Sequence, residues 1–461
     1  MDAQAKFLEG NLFRHISVMS LTASVGLMAV FLVDFIDMVF ISMLGKAELA
    51  AAIGYAGALL FFTSSFGIGM AIAAGALVAR ALGAGDAELA KRRATNTLIY
   101  GVLFGAVFSA IVWFNLRPLS AMLGASGETL ELSVSYLAII IPSLPLLIFG
   151  MVGSAVLRAY GDARRAMMAT VWGGLVNAVL DPILIFGLGL ELTGAALASV
   201  AARAAIAWFG IVPLIRAHQA LAKPDPRELP HDLMPVAAIA APAILTQLAT
   251  PLGQAYVTRA MAEFGEAAVA GMAIVGRMTP VAFGVLFALS GAVGPIIGQN
   301  FGAGRQDRVR ESFRDAMVFC ALVVVIVSLI LYALRGPVVQ LFEADGITKE
   351  LVFLFCGPLA LAFFFNGVIF VTNAAFNNLG HPFYSTWINW GRHTLGTVPL
   401  VILGAAWLGA PGVLIGQAAG GVIFAGIAVV LALRVMAKPK DEPREPFARQ
   451  ARLFQLFHHR R

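Results

Sequence analysis

Val33-Asp34-Phe35-Ile36-Asp37-Met38-Val39-Phe40-Ile41 sets two carboxylates near the end of an apolar run, residues 16–44, that contains no Lys, Arg or Glu. A run of that length crosses a bilayer as a helix, which takes roughly 20 residues. A carboxylate at bilayer depth costs roughly 2.5 to 3.5 kcal/mol on insertion scales, so its presence asks for a partner or a task. The expectation drawn here is that Asp37 is half of a cation site. Its partner is sought in a second stretch, Asn177-Ala178-Val179-Leu180-Asp181-Pro182.

The rest of the chain is of the same kind. It has 461 residues, 59% of them hydrophobic and 13% charged, with a mean hydropathy of +0.85. No soluble domain with a normal polar surface has that balance, so the expected fold class is an all-α integral membrane protein. No large polar block interrupts the apolar runs, which leaves no room for a soluble catalytic domain. Cys320 and Cys356 fall in apolar segments and read as small core residues. The net charge of +6 comes from basic residues between the runs and in residues 438–461, a pattern that suits an anionic leaflet better than nucleic acid. No cleaved signal peptide is expected; the first apolar helix is itself the insertion signal.

Twelve spans are read at about 16–42, 52–80, 95–116, 132–157, 166–189, 194–215, 236–260, 268–298, 315–335, 351–376, 384–407 and 411–435. Even-numbered loops hold Arg80, Lys91, Arg92, Arg93, Arg158, Arg164, Arg165, Arg216, Lys223, Arg227, Arg305, Arg308, Arg310 and Arg314. Odd-numbered loops hold only Lys46, Arg117, Arg259, Arg335 and Lys349. The positive-inside rule then puts both termini and the central linker in the cytoplasm. The loop after span ten has no basic residue and adds nothing to the count.

Gly83-Ala84-Gly85 recurs as Gly302-Ala303-Gly304, an offset of 219 residues, and the same offset takes Gly161-Asp162 to Gly380-His381. Gly194 and Gly412 pair at 218. The constant offset argues for two six-helix repeats of like orientation around a central cavity. The expected divisions are an N-lobe at 1–215, a cytoplasmic linker at 216–235 with Lys223-Pro224-Asp225-Pro226, a C-lobe at 236–436 and a basic cytoplasmic tail at 437–461.

Asp34 and Asp37 are three apart and share a helix face, as do Asn177 and Asp181, four apart. Pro182 has no amide hydrogen, so the Ala178 carbonyl loses its intrahelical donor and becomes a ligand for a cation or water. Together these form a hard-oxygen cluster of a type that holds Na⁺ or shares a proton. The plainer alternative is a helix-bending proline beside a snorkelling aspartate. Arg203, Arg277 and Arg392, inside or at the rims of spans, bind an anion, pair with an Asp or snorkel. His381, in Gly-His-Pro, reads as a loop turn. The 16 Met and 33 Phe residues suit an adaptable cavity and an ordinary membrane core equally.

The pattern Val-Asp-Phe-Ile-Asp-Met-Val-Phe-Ile-Ser-Met-Leu-Gly, ending at Gly45, resembles the first helix of MATE (multidrug and toxic compound extrusion) transporters. Gly83-Ala84-Gly85, Gly298-Gln299-Asn300-Phe301-Gly302-Ala303-Gly304 and Leu157-Arg158-Ala159-Tyr160-Gly161-Asp162 resemble the same family, which the chain is similar to from about Phe13 to Met436. The resemblance is closest to the DinF-like branch. It implies an N-lobe site at Asp37, Asn177, Asp181 and the hydroxyl residue Ser199, with Asp34 a departure where that branch often has Asn. The NorM-like branch has a C-lobe acid pair instead. Here Gln247, Thr250 and Asn366 stand in the corresponding parts of spans seven and ten, and no acid lies within those spans as drawn, which favours coupling through the N-lobe.

There is no Gly-x-x-x-x-Gly-Lys-[Ser/Thr] phosphate loop, so no direct use of ATP is expected, nor any enzymatic activity or cofactor beyond H⁺ or Na⁺ as coupling ion. The expected function is secondary antiport of amphipathic, mostly cationic organic compounds out of the cell. The chain is expected to be a monomer surrounded by lipid in the inner (cytoplasmic) membrane, without a nucleic-acid partner. Alternatives are a flippase for a lipid-linked substrate, which calls for a strongly basic cavity, and a non-transporting scaffold or receptor.

Overall fold

A computed structural model describes residues 5–44 and 47–437 of the chain. Gly45, Lys46 and the basic tail beyond Ala437 lie outside the described residues. Among these, sixteen α-helices and no strand occur. The first half holds α1 (Leu12–Met43), α2 (Ala47–Gly83), α3 (Ala87–Phe114), α4 (Leu116–Met122), α5 (Gly127–Ile140), α6 (Leu144–Ala159), α7 (Ala163–Pro182) and α8 (Glu191–Arg216). The second holds α9 (Leu229–Ala262), α10 (Glu266–Ala282), α11 (Gly284–Gly302), α12 (Gln306–Leu341), α13 (Gly346–Leu354), α14 (Ala360–Asn378), α15 (Pro382–Gly391) and α16 (Thr397–Ala437).

The repeat seen in three glycine-bearing loops extends to the helix bounds. An offset of 219 takes the start of α2 to that of α10, its end to that of α11, and the starts of α3, α5 and α7 to those of α12, α13 and α15. The chain therefore has two lobes of one plan. In the second, Pro280 withholds an amide hydrogen and the helix breaks at Phe283, so α10 and α11 make one broken crossing where α2 makes a continuous one.

Eleven helical stretches are long and apolar enough to cross a membrane, the last being Pro382–Ala437. That last stretch is two crossings, because Gly409 (φ 65°, ψ −144°) turns the chain back on itself. Beyond the turn Gly412 meets Gly404, Gly416 meets Leu400 and Gly420 meets Gly396, backbone against backbone, where any Cβ would collide. The total of twelve crossings agrees with the apolar runs.

The Gly-Ala-Gly and Tyr-Gly-Asp motifs are helix stops. Gly85 (φ 78°), Gly161 (φ 77°), Gly304 (φ 73°) and Gly380 (φ 86°) adopt the left-handed conformation after α2, α6, α11 and α14. The amide of the following residue reaches back five positions, as Asp86 N–H to Ala81 O at 3.0 Å and Asp162 N–H to Leu157 O at 2.9 Å. These bonds satisfy carbonyls that the helix end would leave open. The same two aspartates start the next helices, Asp86 accepting from Leu89 N–H at 2.9 Å and Asp162 from Arg165 N–H at 3.1 Å.

The seventh crossing begins earlier than the apolar run suggests, at Leu229 rather than about 236, so the linker is 217–228 in structural terms. Asp232, expected in the linker, lies in α9, 1% exposed. It accepts from Arg92 Nε at 3.1 Å and Asn96 Nδ2 at 2.8 Å on α3. A pattern of apolar residues cannot register this polar foot, because it is stabilised by another helix. The first helix of each repeat joins the lobes: α1 packs on α7 and on α11, and α9 packs on α15 and on α2.

Candidate ion site and central cavity

Asp37 on α1 and Asn177 and Asp181 on α7 meet inside the first lobe. Asn177 Nδ2 donates to Asp37 Oδ1 and Oδ2 at 3.0 and 3.1 Å and to Asp181 Oδ2 at 2.6 Å. The Asp37 and Asp181 carboxyls also lie within hydrogen-bond reach of each other. Asn177 is 5% and Asp181 1% exposed, and Asp181 Oδ1 is buried with no hydrogen-bond partner among the described residues. Two carboxylates in contact at low polarity repel strongly, so the pair requires a proton or a cation between them. The donor set fits either. As assigned, the Asn177 amide turns its nitrogen to both acids, an arrangement for a shared proton; Na⁺ would require the amide flipped to present its oxygen.

The remaining expected members stand around this group. Ser199 on α8 lies next to Tyr136 of α5, whose phenol is close enough to feel the charges of Asp37 and Asp181. Ser199 is thus one residue removed from the acids. Tyr136 is the member the sequence offered no signal for: a tyrosine on an apolar helix has no distinguishing spacing. Asp34 lies one turn from Asp37, is exposed, and makes no side-chain hydrogen bond to the group among the described residues. Pro182 ends α7, and the chain continues as a wider π-turn over Ile183–Gly187. Arg203 neither pairs with an Asp nor snorkels: it donates to Ile140 O and Ser143 Oγ, both at 3.0 Å. Arg277 is exposed.

The second lobe carries no copy of the acids. The offset of 219 places Gly253, Tyr256, Gly396 and Leu400 at the positions of Asp34, Asp37, Asn177 and Asp181. His393, 5% exposed, packs against Gly253 instead. Gln247 faces the central cavity and Thr250 is exposed.

That cavity, about 580 Å³, lies between the lobes. Such a volume suits a drug-sized molecule. Its walls come from both lobes, with Val30 of α1, Met151 and Ser154 of α6, Gln247 of α9, Phe287 of α11 and Asn377 of α14 among them. Arg158, counted above as a loop charge, in fact lies within α6 and lines this space. Arg80 likewise lies within α2, turned between the lobes, where Nε donates to Asn378 O at 2.8 Å and Nη2 to Asn377 O at 2.6 Å. Its repeat counterpart Gln299 donates to Ala159 O at 2.8 Å, the same bond carried over by the offset.

Beneath the cavity, at the end that holds the linker, α2 and α11 touch through glycine. A Cβ on Gly83 would collide with the Gln299 carbonyl, and one on Gly302 with the Arg80 carbonyl. Residues preceding α1 strap this closure. Lys6 Nζ donates to Gly161 O at 3.0 Å in one lobe, and Phe7 N–H to Gln299 Oε1 at 2.8 Å in the other. Asn300 Nδ2 and Arg308 Nη2 both donate to Phe7 O at 3.1 Å. Nothing in the pattern of residues 5–10 announced this role.

The MatE family profile matches residues 23–183 and again 242–403. The "FAD transporter" of Shewanella oneidensis is 30% identical over 404 residues, 86% of this chain and 89% of that protein. The "Multidrug export protein MepA" of Staphylococcus aureus is 25% identical, covering 80% of this chain and 82% of its own. A mutant of the Vibrio cholerae MATE transporter VcmN superposes with a TM-score of 0.88 at 23% identity, covering 92% of this chain and 97% of that one. An outward-facing multidrug resistance MATE transporter of the MOP superfamily gives 0.87 at 22%, covering 94% and 98%. These two likenesses support the two-lobed all-α fold.

Proposed function

The chain belongs to the MatE family, and from that premise we propose that it is a secondary antiporter exporting amphipathic organic compounds in exchange for H⁺ or Na⁺. Members of the family are multi-pass membrane transporters and not enzymes. The observation that carries the coupling reading is the contact of Asp37, Asn177 and Asp181 in one lobe, with no acidic counterpart in the other.

In this reading the protein is a monomer of the cytoplasmic membrane with the linker and both termini inside. Residues 1–215 act as N-lobe, the C-lobe opens with α9 at Leu229 and runs to 436, and 437–461 act as a basic tail. The closed end beneath the cavity is then cytoplasmic, and the state described is outward-facing. A proton or Na⁺ arriving from outside neutralises the Asp37–Asp181 pair, α7 repacks around Pro182 and its π-turn, and cargo is released; the inward-facing state loses the ion and reloads. The electrical part of the driving force is about 2.3 kcal/mol per charge per 100 mV.

The relatives divide on cargo, one named for FAD and another for multidrug export, so their names alone do not favour mostly cationic compounds over others. The test is reconstitution in liposomes with pH and Na⁺ gradients imposed independently. Transport driven by neither gradient, or undiminished in Asp37→Asn and Asp181→Asn, overturns the reading.

A further inference from the structure

We propose that the central cavity takes cargo bearing an anionic group, a phosphate or carboxylate on an amphipathic body, with Arg158 as its counter-ion. This rests on the transport reading only in taking the cavity as the place where cargo sits.

Among the described residues lining the cavity, Arg158 is the one charged side chain, and no Asp or Glu faces the space. Its guanidinium has no hydrogen-bond or ion-pair partner among the described residues. A cation kept unpaired in a membrane-embedded protein is costly, so a ligand that supplies the opposite charge has a ready gain there. Arg158 also reaches across the lobes: its Nε lies 3.7 Å from where a Cβ on Gly291 of α11 would stand.

The neighbours fit the same cargo. Arg80 lies directly behind the asparagine pair, bound to the carbonyls of Asn377 and Asn378, and adds a second positive charge near the floor. Asn377, whose side-chain amide lies 3.4 Å from the Ser385 hydroxyl, adds N–H groups able to donate. Guanidinium and amide N–H groups together are the donors that bind phosphate and carboxylate oxygens. Phe287, Met151 and Val30 supply the apolar wall for the body of the molecule. A cationic compound would meet the uncompensated charge of Arg158 instead.

The test uses purified full-length protein and two probes that differ by one phosphate, flavin mononucleotide and riboflavin, with ethidium as the cation. Binding is followed by tryptophan fluorescence in detergent, where no gradient is needed. The expected result is about tenfold or greater preference for the mononucleotide, the range of a charge-assisted pair. In Arg158→Gln that ratio falls toward one, and Arg158→Lys restores part of it. Equal binding of the two flavins by the wild-type protein, or tighter binding of ethidium, overturns the proposal whether or not the variants fold.

The same phosphate chemistry is found on lipids, so a parallel arm follows acyl-labelled phosphatidate in liposomes by dithionite bleaching. Arg158-dependent movement of that lipid, alongside the nucleotide preference, assigns the anion site a lipid source; no movement of the lipid alongside that preference assigns a soluble one. Failure of gradients to drive any probe counts against antiport alone, since the binding ratio does not depend on it.

Discussion

Asn177 of α7 donates to Asp37 of α1 at 3.0 Å, joining two helices of the first lobe through a side-chain amide that also holds Asp181. Whatever neutralises the two acids therefore alters the packing of α1 on α7. Asp37→Asn and Asp181→Asn are expected to lower gradient-driven transport more than tenfold, about 1.4 kcal/mol or more of coupling, while leaving cargo binding in detergent within about threefold. The checks are counterflow and gradient-driven assays in the same liposomes. Loss of binding to the same extent as transport argues against a separate ion site.

Asp34 separates from its neighbour in this respect. It is exposed and one turn from the bonded group, so Asp34→Asn is expected to change gradient-driven transport by less than about threefold, as exposed charges do when they hold no partner. A loss equal to that of Asp37→Asn would place Asp34 within the site.

The glycine contact beneath the cavity gives a conformational prediction. Gly83→Leu places a side chain where the Gln299 carbonyl stands and cannot be accommodated by rotamer change alone. The expected outcome is a population shifted away from the closed arrangement, read as longer spin-label distances between the ends of α2 and α11, with transport lost. Gly85→Leu, where a Cβ would meet nothing within 4 Å, differs in cause: its left-handed backbone, φ 78°, penalises the helix stop and not the lobe contact.

Phe7 is 1% exposed and bonded to both Gln299 and Arg308. Phe7→Ala is expected to lower unfolding stability by roughly 3 kcal/mol, the usual cost of emptying an aromatic site. It is also expected to raise protease sensitivity at the linker end. Thermal denaturation and limited proteolysis of the purified protein check both; unchanged behaviour removes the strap from the closure.

Asp162 lies outside the membrane spans. Burial pushes its carboxyl up, but hydrogen bonds from His218 Nε2 at 2.8 Å, from the Arg165 amide and from the Arg165 guanidinium outweigh this and hold it below the usual carboxylate range. A depressed carboxylate stabilises the fold fully above its unfolded value near 4 and loses that contribution only as pH falls through the lower folded value. Asp162→Ala is therefore expected to cost about 1 kcal/mol of stability by a margin that Asp162's own titration leaves unchanged between pH 7 and pH 5. The margin should narrow only at stronger acidity. A margin that closes above pH 5 contradicts the depressed carboxyl.

Much of this was legible in the residues themselves. Apolar runs of bilayer length fix helices because no other open structure satisfies the backbone in lipid. The Gly-Ala-Gly offset fixed the repeat because a left-handed helix stop tolerates few residues but glycine. Asp37 with Asn177 and Asp181 was legible because carboxylates are too costly in an apolar helix to be incidental. The opposite errors have one cause. Arg80 and Arg158 were counted as loop charges because a cation at a helix end ordinarily faces water, and Asp232 was left in the linker because a polar foot ends an apolar pattern.

The amino-acid sequence by itself determined the class of fold, the number of crossings, the duplication and the aspartates that meet at Asn177, all consequences of local hydropathy, backbone geometry and the price of buried charge. Only the tertiary structure decided that Tyr136 stands beside those acids, that residues 5–10 strap the lobes, and that Arg158 faces the cavity without a counter-charge. Each of these depends on which side chains meet across helices distant in the chain, and the direction a side chain takes between two lobes is set by the packing of both.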